Sequence, residues 1–235
     1  MAPPDSTTAP PIGIAVDPSP AQRPRPVVLP GRVVTLRPLH GPSHAEALYN
    51  GTHGAQKEDL WRYLPQGPFA SRAAYDEWFS LKEKSLDPLF LAIVDNATGV
   101  ALGQASYLRV EPAHRTIEVG HILFTPALQR SCGATEAMYL MARHAFADLG
   151  YRRYEWKCHA FNEPSRRAAL RLGFTFEGVF RQHMIVKGRN RDTAWYSMLD
   201  SEWPLRQASF EQWLAPSNFD PAGEQKLSLS RLNGH

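Results

Sequence analysis

The sequence predicts an α/β protein of the mixed α+β kind, with a central, mostly antiparallel sheet flanked by helices. Three observations predict it. The 235 residues are 43% hydrophobic, enough for one domain with a real core plus tails. Strand and helix patterns follow in the order one strand, two helices, three strands, a helix, a strand, a helix, two strands. In the middle of that order, residues 116–149 read as a strand that feeds a polar turn of small residues and then an amphipathic helix.

Taking the chain in order, residues 1–27 are rich in Pro, Ser, Thr and Ala and poor in large apolar side chains, so a disordered tail is expected there. The domain proper is expected over 28–214, with a polar, loose tail over 215–235. Val33–Leu39 is the first strand, and Ser43 is placed to cap a helix carrying Ala45, Ala47 and Leu48. An irregular loop with Trp61, Tyr63, Leu64, Pro65 and Phe69 either lines an acceptor pocket or covers the edge of the core. Ser71 caps a second helix. Leu89–Val94 is a buried strand, Asp95–Gly99 a hairpin turn, and Ala101–Val110 the return strand.

The strand holding Glu118 then meets the turn Gln129-Arg130-Ser131-Cys132-Gly133-Ala134-Thr135. Met138, Met141, Ala142, Ala145, Phe146 and Leu149 fall on one face of the helix that follows. First-turn N–H groups without helical partners, a positive dipole end and small side chains make this junction an anion site. The turn lacks the Gly-Lys-Ser/Thr of a Walker loop and is not Gly-x-Gly-x-x-Gly.

Arg153–His159 alternates as a strand, and a helix from about Pro164 ends at Leu172 with Gly173 as its C′ residue. Phe174–Phe180, then Met184–Lys187 and Asp192–Leu199 around a Gly188–Arg191 turn, supply the last strands. Trp203, Phe210, Trp213 and Leu214 mark a final helix.

Composition narrows function. A net charge of +3 without a basic block gives no reason to expect a nucleic-acid or membrane partner. No apolar run reaches the roughly 18 residues of a membrane span, and no signal-peptide core is seen, so a cytoplasmic location is the default expectation. Cys132 and Cys158 make neither a disulfide framework nor a metal site, and the nine His residues show no metal spacing.

The turn resembles the acyl-CoA pyrophosphate loop of the GNAT N-acetyltransferase superfamily, Gln/Arg-x-x-Gly-x-Gly/Ala. One register runs from Gln129 through Cys132 to Ala134; another runs from Arg130 through Gly133 to Thr135. Cys132 departs from the pattern in the first register. The Leu36-Arg37-Pro38-Leu39 opening and the string Asn162-x-x-Ser165 … Leu172-Gly173-Phe174-x-x-Glu177-Gly178 also resemble the branch that includes the ribosomal-protein N-terminal serine/alanine acetyltransferases.

The resemblance implies a sheet splayed at its middle strands. It implies transfer of acetyl from acetyl-CoA to a primary amine, either a protein N-terminus or a small molecule, in a ternary complex. A homodimer is left open. Ile122, Leu123 and Phe124 would offer backbone to pantetheine and polarise the thioester carbonyl. Gln129, Arg130, Ser131, Cys132, Gly133, Ala134 and Thr135 would hold the pyrophosphate, with Asn162 and Ser165 beside the cofactor. Arg166 and Arg167 either reach phosphates or form a solvated face. The attacking amine must lose a proton. Glu118 is the first candidate base and Glu177 the second; each has a structural alternative. Ser165 and Tyr196 are candidate acids for the leaving thiolate, against readings as a helix cap and a core aromatic. His121 is either a substrate contact or a satisfied strand histidine. Rival functions are transfer of another acyl group such as succinyl, a non-catalytic acyl-CoA-binding module, and a nucleotide-binding protein.

Overall fold

The computed structural model describes residues 12–234. Eight strands form one open sheet: β1 (Leu29–Pro30), β2 (Val34–Pro38), β3 (Leu89–Asp95), β4 (Ala101–Glu111), β5 (Thr116–Phe124), β6 (Arg153–His159), β7 (Thr175–Val186) and β8 (Arg189–Leu199). Their spatial order is β1-β2-β3-β4-β5-β6-β8-β7. The β5–β6 pairing is parallel and the other pairings are antiparallel. A parallel pair needs a crossover connection, and the predicted amphipathic helix supplies it. This is α3 (Cys132–Arg143), continued by a π turn over His144–Asp148.

Helix α3 covers one face of the sheet together with α4 (Glu163–Arg171) and α5 (Trp203–Leu214), enclosing the larger core. Helices α1 (Gly41–Thr52) and α2 (Arg72–Glu83) cover the β3–β4 part of the other face, over a smaller core around Trp61, Tyr75, Phe79 and Phe90. Glu136 ties α3 to the start of the sheet. Its carboxylate accepts the backbone N–H groups of Arg32, Val33 and Val34 at 2.9, 2.7 and 2.8 Å. Charged acceptors make stronger hydrogen bonds than neutral ones, so this contact fixes where α3 begins.

Several local expectations hold. The Ser71 hydroxyl accepts from the Ala74 N–H and caps α2, and Gly173 ends α4 at φ +94°. Others are corrected. Ser43 caps nothing: α1 starts three residues earlier than a Ser43 cap would place it, at Gly41 with His40 at the cap position, because Pro42 suits a first turn. The hairpin strand expected in two pieces is one strand, β7, bulged at Glu177 and again before Met184.

The tail expected to be loose from 215 is anchored. Asn218 is buried and its amide donates to the carbonyls of Trp213 and Leu227, while α6 (Leu229–Leu232) buries Leu229 completely. A few apolar residues set among polar ones suffice, because Asn218 satisfies the backbone they bring with them. Of the expected disordered segment, residues 1–11 lie outside the described residues. Residues 12–27 carry no helix or strand, yet Ala21 and Gln22 donate N–H bonds to Pro112 and Leu149, and Ala21 and Val27 pack on the core.

Candidate active site

The site begins where β5 and β6 part. Their ladder runs from Thr116↔Arg153 to Val119↔Trp156 and stops. Beyond it, the edges of β5 from Gly120 and of β6 from Lys157 diverge, and a cleft of about 1490 Å³ runs between them. The splay expected from the family resemblance is therefore present. Ile122, Leu123 and Phe124 line the cleft, as do Asn162 and Ser165.

At one end the cleft reaches the start of α3. Gln129, Arg130, Ser131, Cys132, Ala134 and Thr135 line it. Ser131 caps the helix, its hydroxyl accepting from the Ala134 N–H at 3.1 Å. Gly133 does not line the cleft. A Cβ there would sit 2.8 Å from Val34 Cγ1, so this glycine serves the packing of α3 on β2. Only its N–H can take part in binding, and the side chain facing the cleft is Cys132. Burial pushes the Cys132 thiol up from its usual range, which does not suit a nucleophile.

Four arginines gather here: Arg32, Arg130, Arg167 and Arg171. Arg171 Nη1 donates to the Thr135 hydroxyl at 3.0 Å, and its guanidinium lies 4.9 Å from the centre of the Trp213 ring. Arg166 is not part of the group; it turns to Tyr196 and Glu163. The anchored C-terminal segment adds Phe219 and Gln225 to this end of the cleft.

At the other end two β-bulges re-aim side chains. The β4–β5 register gains one residue on β5 around His121, and one on β4 around Arg109. Both residues are left-handed, at φ +49° and +48°. Bulges of this kind bend a strand and redirect its side chains, and both residues here line the cleft. Arg109 Nη1 lies 2.7 Å from Glu118 Oε2, and Lys157 Nζ lies 2.9 Å from the same oxygen. Glu118 is 3% exposed and lines the cleft.

The Ser106 hydroxyl donates to the Gly120 carbonyl, so it receives the His121 Nδ1–H at 2.9 Å, and Nε2 keeps the lone pair. Burial, aided by the charges of Lys82, Arg109 and Arg191, takes the His121 pKa down to about 4. The imidazole is neutral at pH 7. A roof is formed by the irregular segment after α1. Tyr63 donates to the Phe161 carbonyl at 3.0 Å, and Lys187 donates to the Trp61 carbonyl at 2.7 Å. Tyr63, Leu64 and Pro65 thus line the cleft, whereas Trp61 and Phe69 belong to the smaller core.

Two sequence-predicted catalytic residues are not in the cleft. Glu177 sits on a β7 bulge, forked to Arg153 at 2.8 and 2.5 Å and accepting from the Ser197 hydroxyl. Those bonds, Arg153 first, lower its pKa. Tyr196 is 1% exposed in the larger core, and its hydroxyl accepts from Arg166 Nε at 3.3 Å. Burial raises its pKa. Ser165 is not the cap of α4. Asn162 holds that place, accepting the Ser165 N–H at 3.2 Å, which frees the Ser165 hydroxyl to accept from Trp156 Nε1 at 3.0 Å.

Sequence reasoning missed Arg109, Lys157, Arg171 and Arg191. In their strands Arg109, Lys157 and Arg191 each read as an ordinary polar alternation. Only Arg171 left a signal, at i+4 from Arg167 on the same face of α4.

The family described as "Acetyltransferase (GNAT) domain" matches residues 34–175. A GCN5-related N-acetyltransferase from Brucella melitensis is 46% identical, with a TM-score of 0.90 over 92% of this chain and 98% of that one. Curated relatives include the ribosomal-protein-serine acetyltransferase of Escherichia coli (strain K12), 29% identical over 43% of this chain and 56% of its own length. The N-acetyltransferase YoaA of Bacillus subtilis (strain 168), itself uncharacterized, is 32% identical over 42% of this chain and 55% of its own length. The chain thus spans little more than half of these curated relatives. A family match over most of the described domain joins the splayed strands and the small-residue turn at α3, and the chain belongs to the GNAT family of acetyltransferases.

Proposed function

We propose that this protein transfers the acetyl group of acetyl-CoA to a primary amine by direct attack in a ternary complex. The observation that carries the proposal is the parting of β5 and β6 directly upstream of the arginine-lined N-terminus of α3. One cleft then offers amides and cations for a diphosphate at one end and, at the other, a chamber lined by Glu118, His121 and Lys157. Pantetheine would lie along the free edge of β5, with N–H groups among Ile122–Phe124 turned to the thioester oxygen.

The amine nitrogen attacks the carbonyl carbon, the N–C bond forms and the C–S bond breaks. Glu118 is the group best disposed to receive the amine proton. Its Oε2 is taken by Arg109 and Lys157, so Oε1 is the atom left for the amine or an intervening water. The Ser165 hydroxyl, which accepts from Trp156 Nε1, would hydrogen-bond the departing thiolate, and the proton that Glu118 takes from the amine ends on that sulfur. The acceptor is a protein N-terminus or a small-molecule amine; the name of the Escherichia coli relative supports including peptides.

Titrating the protein with CoA while following amide protection of 129–135, then measuring thiol release with a panel of amines, tests the proposal. Binding that protects this segment and turnover with an amine are expected. No heat and no protection there would reject it.

A further inference from the structure

Resting on that reading, we infer that the acceptor amine carries a carboxylate and that Arg191 receives it. The chamber where β5 and β6 part is lined by three cations near the transfer point, Arg109, Lys157 and Arg191. Two of them are spoken for. Arg109 and Lys157 share Glu118, and Lys157 also lies 2.7 Å from Glu155. Glu155 in turn pairs with Arg153, and Arg153 with Glu177. The row Arg109, Glu118, Lys157, Glu155, Arg153, Glu177 alternates in sign and balances.

Arg191 stands outside that balance. Its Nε donates to the Thr193 hydroxyl at 3.2 Å, and among the described residues it has no carboxylate within ion-pair distance. It is half-buried, opposite Met184 on the β7–β8 hairpin, two residues along β8 from the Thr193 that faces His159. Its charge reaches the site: it helps lower both His121 and His159. A guanidinium removed from much of its water, with only the more distant charge of Glu118 and no carboxylate in contact, carries a cost that a substrate carboxylate would offset with a forked pair. A polycationic amine would meet the same charge as repulsion.

The roof over the chamber, pinned by Tyr63 and Lys187, favours a slender acceptor such as an amino acid or a short peptide end. A carboxylate could also be borne by the acyl donor, as in succinyl-CoA. The position of Arg191 on β8, with β6 between it and the β5 edge where pantetheine would lie, favours the acceptor.

The test compares acetyl transfer by the full chain to matched acceptors, an amino acid or dipeptide with a free carboxylate and the same compound as its carboxamide. Wild type is expected to prefer the carboxylate. Arg191→Met should lower kcat/KM for it about 10- to 100-fold, mainly through KM, and leave the carboxamide nearly unchanged. Arg191→Lys should restore part of the loss. Equal use of both acceptors by the wild type, or equal losses for both in the variant, would overturn the inference. So would a wild-type preference for succinyl-CoA that disappears in Arg191→Met. CoA binding by the variant reports that it is folded. Should no amine turn over, the functional reading fails separately. Calorimetry of the same acceptor pair on the CoA complex then still decides the role of Arg191: tighter binding of the carboxylate supports it, and equal affinities reject it.

Discussion

Glu118 and Lys157 lie 2.9 Å apart across the parallel β5–β6 pairing, and each side chain is only 4% exposed. Neither would tolerate burial alone. The pair straddles the last rung of the ladder, Glu118 one step before it and Lys157 one step past it, so the charge that keeps Lys157 buried also fixes the floor of the chamber. Lys157 Nζ also lies 3.7 Å from the centre of the Trp195 ring, which spreads the contact into β8. On the proposed mechanism, structure and chemistry would use the same carboxylate. The cations on Oε2 orient Glu118, and orientation is what a group must have before it can handle a proton.

Glu118→Gln removes the charge and keeps the shape. The acetylation rate should fall at least tenfold, with a loss that shrinks at high pH as more of the acceptor amine is already neutral. Stability should fall by about 1–3 kcal/mol, since Arg109 and Lys157 lose a charged acceptor while Lys157 keeps Glu155. Initial rates against pH, together with urea unfolding, check both. An unchanged rate would remove Glu118 from the chemistry.

His121 makes a pH prediction with a fixed sign. Its folded pKa of about 4 lies below the ordinary 6.5, so the unfolded chain takes up the proton first as pH falls. The stability associated with the neutral ring is fully present above pH 6.5 and is lost between there and about pH 4. The loss amounts to no more than about 3.5 kcal/mol. Urea unfolding over this window should show a shallower slope for His121→Asn than for the wild type. Parallel slopes would mean that the ring titrates normally.

Ala134→Glu places a carboxylate and extra bulk beside the N–H groups capped by Ser131. CoA affinity should drop at least 100-fold by calorimetry, while the far-ultraviolet spectrum stays unchanged, because an acidic residue in a first helical turn is not destabilising. Undiminished CoA binding by this variant would mean that the diphosphate lies elsewhere.

Much of this arrangement was legible in the sequence for plain reasons. The period of 3.6 from Met138 to Leu149 marks α3, and the run Leu89–Val94 marks a strand buried on both faces. Ser71 and Gly173 announce helix ends through local chemistry. What could not be read depends on pairing between distant segments. The two bulges that turn Arg109 and His121 into the cleft are properties of the β4–β5 register, and nothing local in either strand encodes them. Glu177 follows the family string, yet the β7 bulge hands it to Arg153 on the strand two places away. The C-terminal segment looked loose because its fixing contacts run through one buried asparagine, whose partners lie five and nine residues away.

The same limit explains the turn at α3, where the sequence offers two registers and a cysteine in place of a glycine. The glycine that matters for packing is Gly133, whose Cα faces Val34, a residue 1% exposed on β2. Gly133→Ala adds helix propensity worth about 1 kcal/mol. It also forces a methyl to within 2.8 Å of a β-branched side chain with little rotamer freedom. Overpacking costs about 1–3 kcal/mol, so the clash should win and the variant should melt earlier. Val34→Ala alone should also destabilise, by opening a cavity. Combined, the two changes should be less damaging than their sum, because each relieves the other. A double-mutant cycle by urea denaturation measures that coupling, with at least about 0.5 kcal/mol expected. Strict additivity would show that Gly133 is not held against Val34, and would return it to the cleft as a phosphate-contacting glycine.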